Sequence, residues 1–407
     1  LIAEHVDERP EAPAICAWDG SLTYREFDDL SNRLALHLLQ LEVRRGKIVP
    51  LCCERSMWTF VSMLAVMKTG AAFVFLDEAL PLERMREIVT QTRAEVLLTS
   101  YDCLEKASGT EVPNIVMAGA GADWLEYSYD SVRTCPEDLR SQHARGSPAD
   151  SLYIAFTSGS TGKPKGAVIT HSGYASVASA HKGPMGLNQN SRMLHFASYS
   201  FDASNFEALT TFIAGGCLCV PSEDMRKNDL ASAITKLQVN AMFLTPTVSR
   251  LLTPDDIPTV KIMLLGGEPI MDSDIAFWNS HLHLKIVYGP TECSAICCCL
   301  PDTSNDDAGT IGLGTGASLW VVDPFDHHKL APVGAIGELI LEGPVIGNGY
   351  LNNAEKTAMA FVDRPNWHSS VLEHHYDESF SWYRTGDLVQ YREDGLLKYV
   401  GRKDQQV

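Results

Sequence analysis

The 407-residue sequence holds no long run of lysine or arginine, and its 33 basic against 51 acidic side chains leave a formal charge of -18. That absence argues against nucleic acid or an anionic membrane surface as the main partner, since either calls for a basic face. No apolar run reaches the roughly 20 residues that span a bilayer. The opening LIAEHVDERPEAPAI is acidic and broken by proline, without the basic end and apolar stretch of a secretory leader. The expected location is the cytoplasm. No internal repeat is visible. The P-loop spacing is missing too: in TSGSTGKPKGAV, Gly159 and Gly162 stand too close together and Pro164 follows Lys163, which sets aside an ordinary ATPase or GTPase.

What is present is a chain rich in apolar residues, at 45% hydrophobic, and long enough for two or three packed units at about 150 residues each. Its 11 cysteines fall mostly inside apolar runs, such as Cys52 and Cys53, Cys217 and Cys219, and Cys297 to Cys299. Buried free thiols are expected. A zinc site from Cys293 and the triplet is the alternative, opposed by the alternation of side chains along a strand, which points adjacent cysteines to opposite faces.

Helical patterns alternate with short apolar strands through the first three quarters, the pattern of parallel sheets covered by helices. YREFDDLSNRLALHLLQL (Tyr24 to Leu41) has helical apolar spacing, and IVPLCC follows as a strand. MWTFVSMLAVMKTG reads as a buried helix closed by Gly70, with AAFVFLD as the next strand. ERMREIVTQTR with AEVLLTS, ASAITKLQV with NAMFLT, and DIAFWNSHL with LKIVYG continue the alternation. From about Asp302, glycine-rich turns separate short strands such as SLWVVD, GELILEG and GLLKYVG. The expected fold class is α/β: two parallel-type sheets with packed helices over residues 1–300, and a small β-barrel-like unit over 301–400. Residues 103–150 carry little signal.

Chemistry concentrates just after predicted strands, where ligands bind in parallel α/β sheets. The loop in TSGSTGKPKGAV is pinned between the strand patterns SLYIAFT and GAVITH, and its bare amides, hydroxyls and lysines suit phosphate oxygens. YGPTE (Tyr288 to Glu292) offers an aromatic face, a turn, a hydroxyl and a carboxylate; YRTGDL presents Asp387; FDAS sets Asp202 among apolar neighbours, where a carboxylate is costly unless a cation meets it. A capping role is the structural alternative for each aspartate.

In this order, with LTYREFDDLSNRLA, MKTGAAFVFLD, GELILEGPVIGNGYL and GRKDQQV, these motifs resemble the adenylation domains of nonribosomal peptide synthetases, within the adenylate-forming superfamily of acyl-CoA synthetases and luciferases. The resemblance covers nearly the whole chain. It implies ATP and Mg²⁺ as cofactors, an amino acid as substrate, attack of its carboxylate on the α-phosphate, and transfer to the phosphopantetheine thiol of a peptidyl carrier domain, beside a condensation domain. It assigns Thr157, Ser158, Gly159, Ser160, Thr161, Gly162 and Lys163 to the β- and γ-phosphates. Tyr288 and Gly289, with Gly267 and Glu268, would line the adenine, Thr291 would meet the α-phosphate, and Glu292 would hold Mg²⁺. Asp387 would bind the ribose with Arg402 and Tyr399 nearby. Thr157, Lys163, Thr291 and Glu292 are the implied catalytic set. One departure stands out: Ile286 replaces the family's asparagine, which helps read adenine.

By the same resemblance Asp202 pairs with a substrate α-ammonium, and Ala203, Phe206, Phe243, Leu264, Gly266, Val287, Ala295 and Ile296 line the side-chain pocket. None of the eight is charged, so an apolar substrate side chain is expected. The two phenylalanines favour Leu, Ile or Val, with Ala and a flat ring still open. Asp404 matches the family's hinge. A C-terminal subdomain with a carboxylate-contacting lysine is expected beyond it, so this large N-terminal subdomain should bind ligands better than it turns them over. Two alternatives remain: a CoA ligase of the same fold, and a non-catalytic ligand-binding module.

Overall fold

The computed structural model describes residues 1–127, 146–157, 163–368 and 380–403. Two sheets organise them. The first has six strands in the order Asn114–Met117, Val96–Thr99, Ile48–Cys52, Ala72–Phe75, Ser151–Thr157 and Lys165–Thr170. Its first five strands run parallel, and the last turns back antiparallel, pairing Thr157 with Lys165. Strands buried on both faces need apolar residues throughout rather than alternately, and Ala72–Phe75 and Val96–Thr99 are buried at every position.

The second sheet is parallel from His283–Tyr288 through Ile262–Leu265, Ala241–Leu244, Arg192–Leu194 and Cys217–Val220 to Pro13–Ala17. Beyond His283–Tyr288 it continues antiparallel through Cys298–Leu300 and Thr310–Gly314 into Leu397–Arg402, Ser381–Tyr391, Ile336–Gly343 and Ser318–Asp323. The β-rich quarter is thus joined edge-on to the parallel sheet.

Helices cover these sheets as their spacing requires. Tyr24–Gln40 starts at a capping box in which Thr23 and Glu26 satisfy each other's backbone amides. Met57–Lys68 is apolar on nearly every side, and Gly70 follows in a left-handed conformation. The described cysteines are all free, and all but Cys16 are buried.

One buried cation ties the sheets together at the carboxyl ends of their strands. Arg55 follows the strand Ile48–Cys52 and is 5% exposed. It donates to His195 Nδ1 at 2.7 Å, to the carbonyls of His195 and Phe196 at 3.0 and 3.2 Å, and to that of Ala197. From the other side, the fully buried Glu207 accepts the amides of Phe196 and Ala197 at 3.0 Å each. Because Arg55 can only donate, His195 Nδ1 carries no proton, in line with burial and the Arg55 charge holding that imidazole well below its usual range. The segment between the strand end and Asp202 is clamped through both its amides and its carbonyls.

Candidate active site

Asp202 opens the helical stretch Ala203–Asn205, which passes into a π-helical turn over Phe206–Thr210. Its backbone carbonyl accepts the amides of Asn205 and Phe206 at 2.9 and 3.1 Å. Its side chain makes no capping hydrogen bond, so the carboxylate is not spent on starting the helix. The residue is half-buried overall, yet Oδ2 is sealed from solvent and has no partner. Burial pushes its carboxyl up to about 6, the Thr291 hydroxyl pulls it down, and the Glu292 charge pushes it up again. A buried carboxylate oxygen without a partner is a standing cost unless a cation arrives.

The residues expected around a substrate side chain are brought together. Phe206 meets Phe243 edge-on with centroids 5.9 Å apart. Phe243 is in register with Leu264 on the neighbouring strand. Phe206, Leu264, Val287, Ala295 and Ile296 share one buried cluster, with Phe243 packed against it. Gly266 lies under the Val287 carbonyl so closely that a Cβ there would sit 2.5 Å from its oxygen. Gly289 is tighter still, with the Ala295 carbonyl oxygen 2.3 Å from where its Cβ would stand. Ala203 is half-buried at the start of the same helical stretch.

Two consecutive non-glycine residues, Ser294 and Ala295, adopt φ of 59° and 75°. Such left-handed conformations cost free energy in side-chain-bearing residues and recur at functional sites. They follow the 3-10 turn Thr291–Cys293 and return the chain to the antiparallel strand Cys298–Leu300. The turn directs Glu292 inward: it is 7% exposed and accepts a hydrogen bond of 2.6 Å from the Tyr350 hydroxyl. Thr291 is half-buried beside it.

At the start of the turn, the Tyr288 hydroxyl donates to Asp387 Oδ2. Arg402 donates to Asp387 Oδ1 at 3.2 Å and to the Thr385 carbonyl at 2.8 Å. The rings of Tyr288 and Tyr399 lie 6.4 Å apart. The left-handed Gly386 lets Arg402 approach, its Nη2 lying 3.1 Å from a Cβ built there. Tyr288, Asp387, Tyr399 and Arg402 therefore form one cluster. Ile286 is buried with Leu265, Leu284 and Leu300 in one apolar cluster, on the strand that delivers Tyr288.

On the first sheet, Thr157 ends one arm of the hairpin, and Lys163 and Lys165 lead into the other. Ser158, Gly159, Ser160, Thr161 and Gly162 lie outside the described residues, as does Asp404. Gly267 has a left-handed φ of 79°, and Glu268 is exposed and accepts the Thr247 amide at 3.0 Å. Sequence reasoning did not single out Arg55, His181, Glu207 or Tyr350. Tyr350 stood inside the quoted GPVIGNGYL; Arg55 meets His195 140 residues away, His181 places Nε2 3.0 Å from the Ile296 carbonyl 115 residues away, and Glu207 accepts amides 10 and 11 residues back.

Fold and site together define a two-sheet α/β protein that gathers a lysine-bearing hairpin, an aromatic-carboxylate cluster and an aspartate with one sealed oxygen beside a buried apolar cluster. The AMP-binding enzyme family matches residues 2–351, and the chain belongs to that family. Over its whole length it is 43% identical to the nonribosomal peptide synthetase fmqA of Aspergillus fumigatus, covering 10% of that protein. It is 42% identical to peramine synthetase A of Epichloe festucae, covering 14% of it. The chain thus spans a small part of these relatives. Among solved structures, the N-terminal subdomain of Klebsiella oxytoca NpsA in complex with 3-hydroxybenzoyl-AMSN superposes with a TM-score of 0.79 over 98% of each chain, at 23% identity, which establishes the adenylate-forming N-terminal subdomain fold. Among the described residues no helix is long and apolar enough to cross a membrane.

Proposed function

We propose that this chain is the large subdomain of an amino-acid-adenylating ligase of a nonribosomal peptide synthetase, activating an apolar, aliphatic α-amino acid with ATP. The observation that carries the reading is Asp202. A sealed carboxylate oxygen without a partner, next to an uncharged apolar cluster, matches an ammonium with an apolar side chain, and a charge-assisted pair in that setting is strong. Full-length similarity to peptide synthetases supports the same class.

In the reaction, a substrate carboxylate oxygen forms a bond to the α-phosphorus while the bond to the pyrophosphate oxygen breaks, giving aminoacyl-AMP and pyrophosphate. Such a step asks for alignment and charge neutralisation more than covalent help. Asp202 orients the amine; Thr291 lies between Asp202 and Glu292, where an α-phosphate would sit; Asp387 offers its oxygens to the ribose, displacing the Tyr288 hydroxyl, and the Tyr288 ring faces the base. Thr157, Lys163 and the loop between them receive the outer phosphates.

Among the described residues no group of three His, Cys, Asp or Glu side chains gathers to hold a metal. A single inward carboxylate nevertheless fits Mg²⁺, which takes one or two carboxylates plus substrate phosphates. Glu292 is the residue that would hold it, and the ion, when bound, supplies charge neutralisation at the phosphate oxygens. The thiol sulfur of a carrier domain then bonds to the aminoacyl carbonyl carbon as the bond to the phosphate oxygen breaks, giving a thioester and AMP.

The test is thermal stabilisation of the chain by non-hydrolysable aminoacyl-adenylate mimics of Leu, Ile, Val, Ala, Phe and Trp, with an amine-free acyl control. Ligand at about 100 times its dissociation constant adds roughly 2.7 kcal/mol. The expected result is stabilisation by aliphatic mimics, lost in Asp202→Ala and absent for the control. Equal shifts for every mimic and for the control would refute the amino-acid reading in favour of a CoA ligase.

A further inference from the structure

Tyr350 joins two elements on either side of the phosphate hairpin. It lies on the segment Gly347–Leu351, whose backbone is stitched to both neighbours: the Gly347 amide donates to the Glu292 carbonyl at 2.8 Å, and the Asn348 and Leu351 amides donate to the Val168 and Gly166 carbonyls at 2.8 Å each. The Tyr350 amide itself donates to the Thr357 hydroxyl at 2.9 Å. The residue is 8% exposed, so its ring is held in one place. From there the hydroxyl reaches Glu292 Oε1 at 2.6 Å, while the Lys165 ammonium rests over the ring face, 5.3 Å from its centroid.

A lysine and a glutamate this close to one tyrosine would ordinarily pair with each other. Here the aromatic ring receives the ammonium and the hydroxyl receives the carboxylate, and among the described residues Lys165 forms no ion pair with Glu292. A hydrogen bond between a buried hydroxyl and a carboxylate also fixes the carboxylate's rotation, leaving its second oxygen aimed in one direction.

We propose that Tyr350 is a positioning residue for metal-bound nucleotide: its hydroxyl orients Glu292 toward a divalent ion, and its ring keeps Lys165 off that carboxylate and available to phosphate. This rests on the reading of Glu292 as the metal-facing carboxylate.

Tyr350→Phe keeps the ring and removes only the hydroxyl. Calorimetric titration of the 407-residue chain with Mn²⁺·ATP, with ATP in EDTA, and with a metal-free aminoacyl sulfamoyl-adenosine separates the contributions. The variant is expected to bind Mn²⁺·ATP about tenfold more weakly, the usual range for losing a hydrogen bond to a charged group, with the sulfamoyl-adenosine affinity unchanged. In a Glu292→Gln background the same change should cost less than about twofold, because a residue acting through Glu292 has nothing left to orient. Unchanged Mn²⁺·ATP binding, equal losses for both ligands, or a full tenfold loss in the Glu292→Gln background would each overturn the assignment of Tyr350 while leaving the proposed function standing. A wild-type chain that binds Mn²⁺·ATP no better than ATP in EDTA would overturn the reading of Glu292, and this inference with it.

Discussion

Replacing Asp202 with asparagine removes a charge while keeping the shape, and the structure fixes both the sign and the size of the result. Burial raises the Asp202 carboxyl from 3.8 to about 6, so the folded chain disfavours the ionised form. Well below pH 3.8 the group is protonated in folded and unfolded chains alike, and variant and wild type should be equally stable. Between about pH 4 and 6 the unfolded chain ionises first, and the wild type loses stability as pH rises. Above pH 6 the penalty is complete, and the shift corresponds to at most about 3 kcal/mol, an upper bound because the residue is half-buried. Urea unfolding at pH 4, 5, 6 and 7.5 measures this directly. Asp202→Asn should gain stability over the wild type only as pH rises, level off above pH 6, and at the same time lose selective binding of amine-bearing adenylate mimics. A variant that is no more stable at pH 7.5, or that gains equally at pH 4, would refute the claim that the aspartate is held unpaired for a ligand.

The other expectations use the same unfolding assay. His181 is fully buried with Nε2 3.0 Å from the Ile296 carbonyl, and burial holds it down to about 4. The unfolded chain therefore takes up that proton first as pH falls from 6.5 to 4, and His181→Gln should lessen the acid destabilisation there by up to about 3 kcal/mol; an unaltered acid limb would contradict it. Arg55→Leu leaves Glu223 and three carbonyls without their donor and removes the positive charge facing the buried Glu207, and should cost about 3–5 kcal/mol; a loss below about 1 kcal/mol would mean the clamp is incidental. Gly289→Ala would drive a methyl to 2.3 Å from the Ala295 oxygen, costing about 1–3 kcal/mol and weakening every mimic, and a variant matching wild type in both would show that the strained turn yields freely.

The elements that were legible in the sequence are those that carry an unbroken run of apolar, strand-prone residues. Ser318–Asp323 forms over the same residues as the SLWVVD pattern, and the apolar runs at Ala72–Phe75 and Ala241–Leu244 form strands because a parallel sheet covered on both faces tolerates little else. Residues 103–150 were silent for the opposite reason. The helix Leu104–Gly109 buries one side chain, and the edge strand Asn114–Met117 is open along much of its length, so neither imprints a period. The positive φ of Ser294 and Ala295 was equally hidden, since no glycine marks it.

A similar division runs through the site itself, and it has a physical cause. Asp202, Glu292 and Asp387 were readable because a carboxylate beside apolar strand ends is a local anomaly in the sequence. Arg55, Glu207 and Tyr350 show no such anomaly, since each is satisfied in the folded chain by groups that the sequence places elsewhere. Arg55 reaches a histidine 140 residues away, and Tyr350 a glutamate 58 residues away. Asp202 Oδ2 keeps unmet bonding capacity within the fold, and that deficit shows as a residue out of place. Arg55, Glu207 and Tyr350 have theirs filled within the fold. Their role emerges only when the two sheets have closed and the distances between distant segments can be measured.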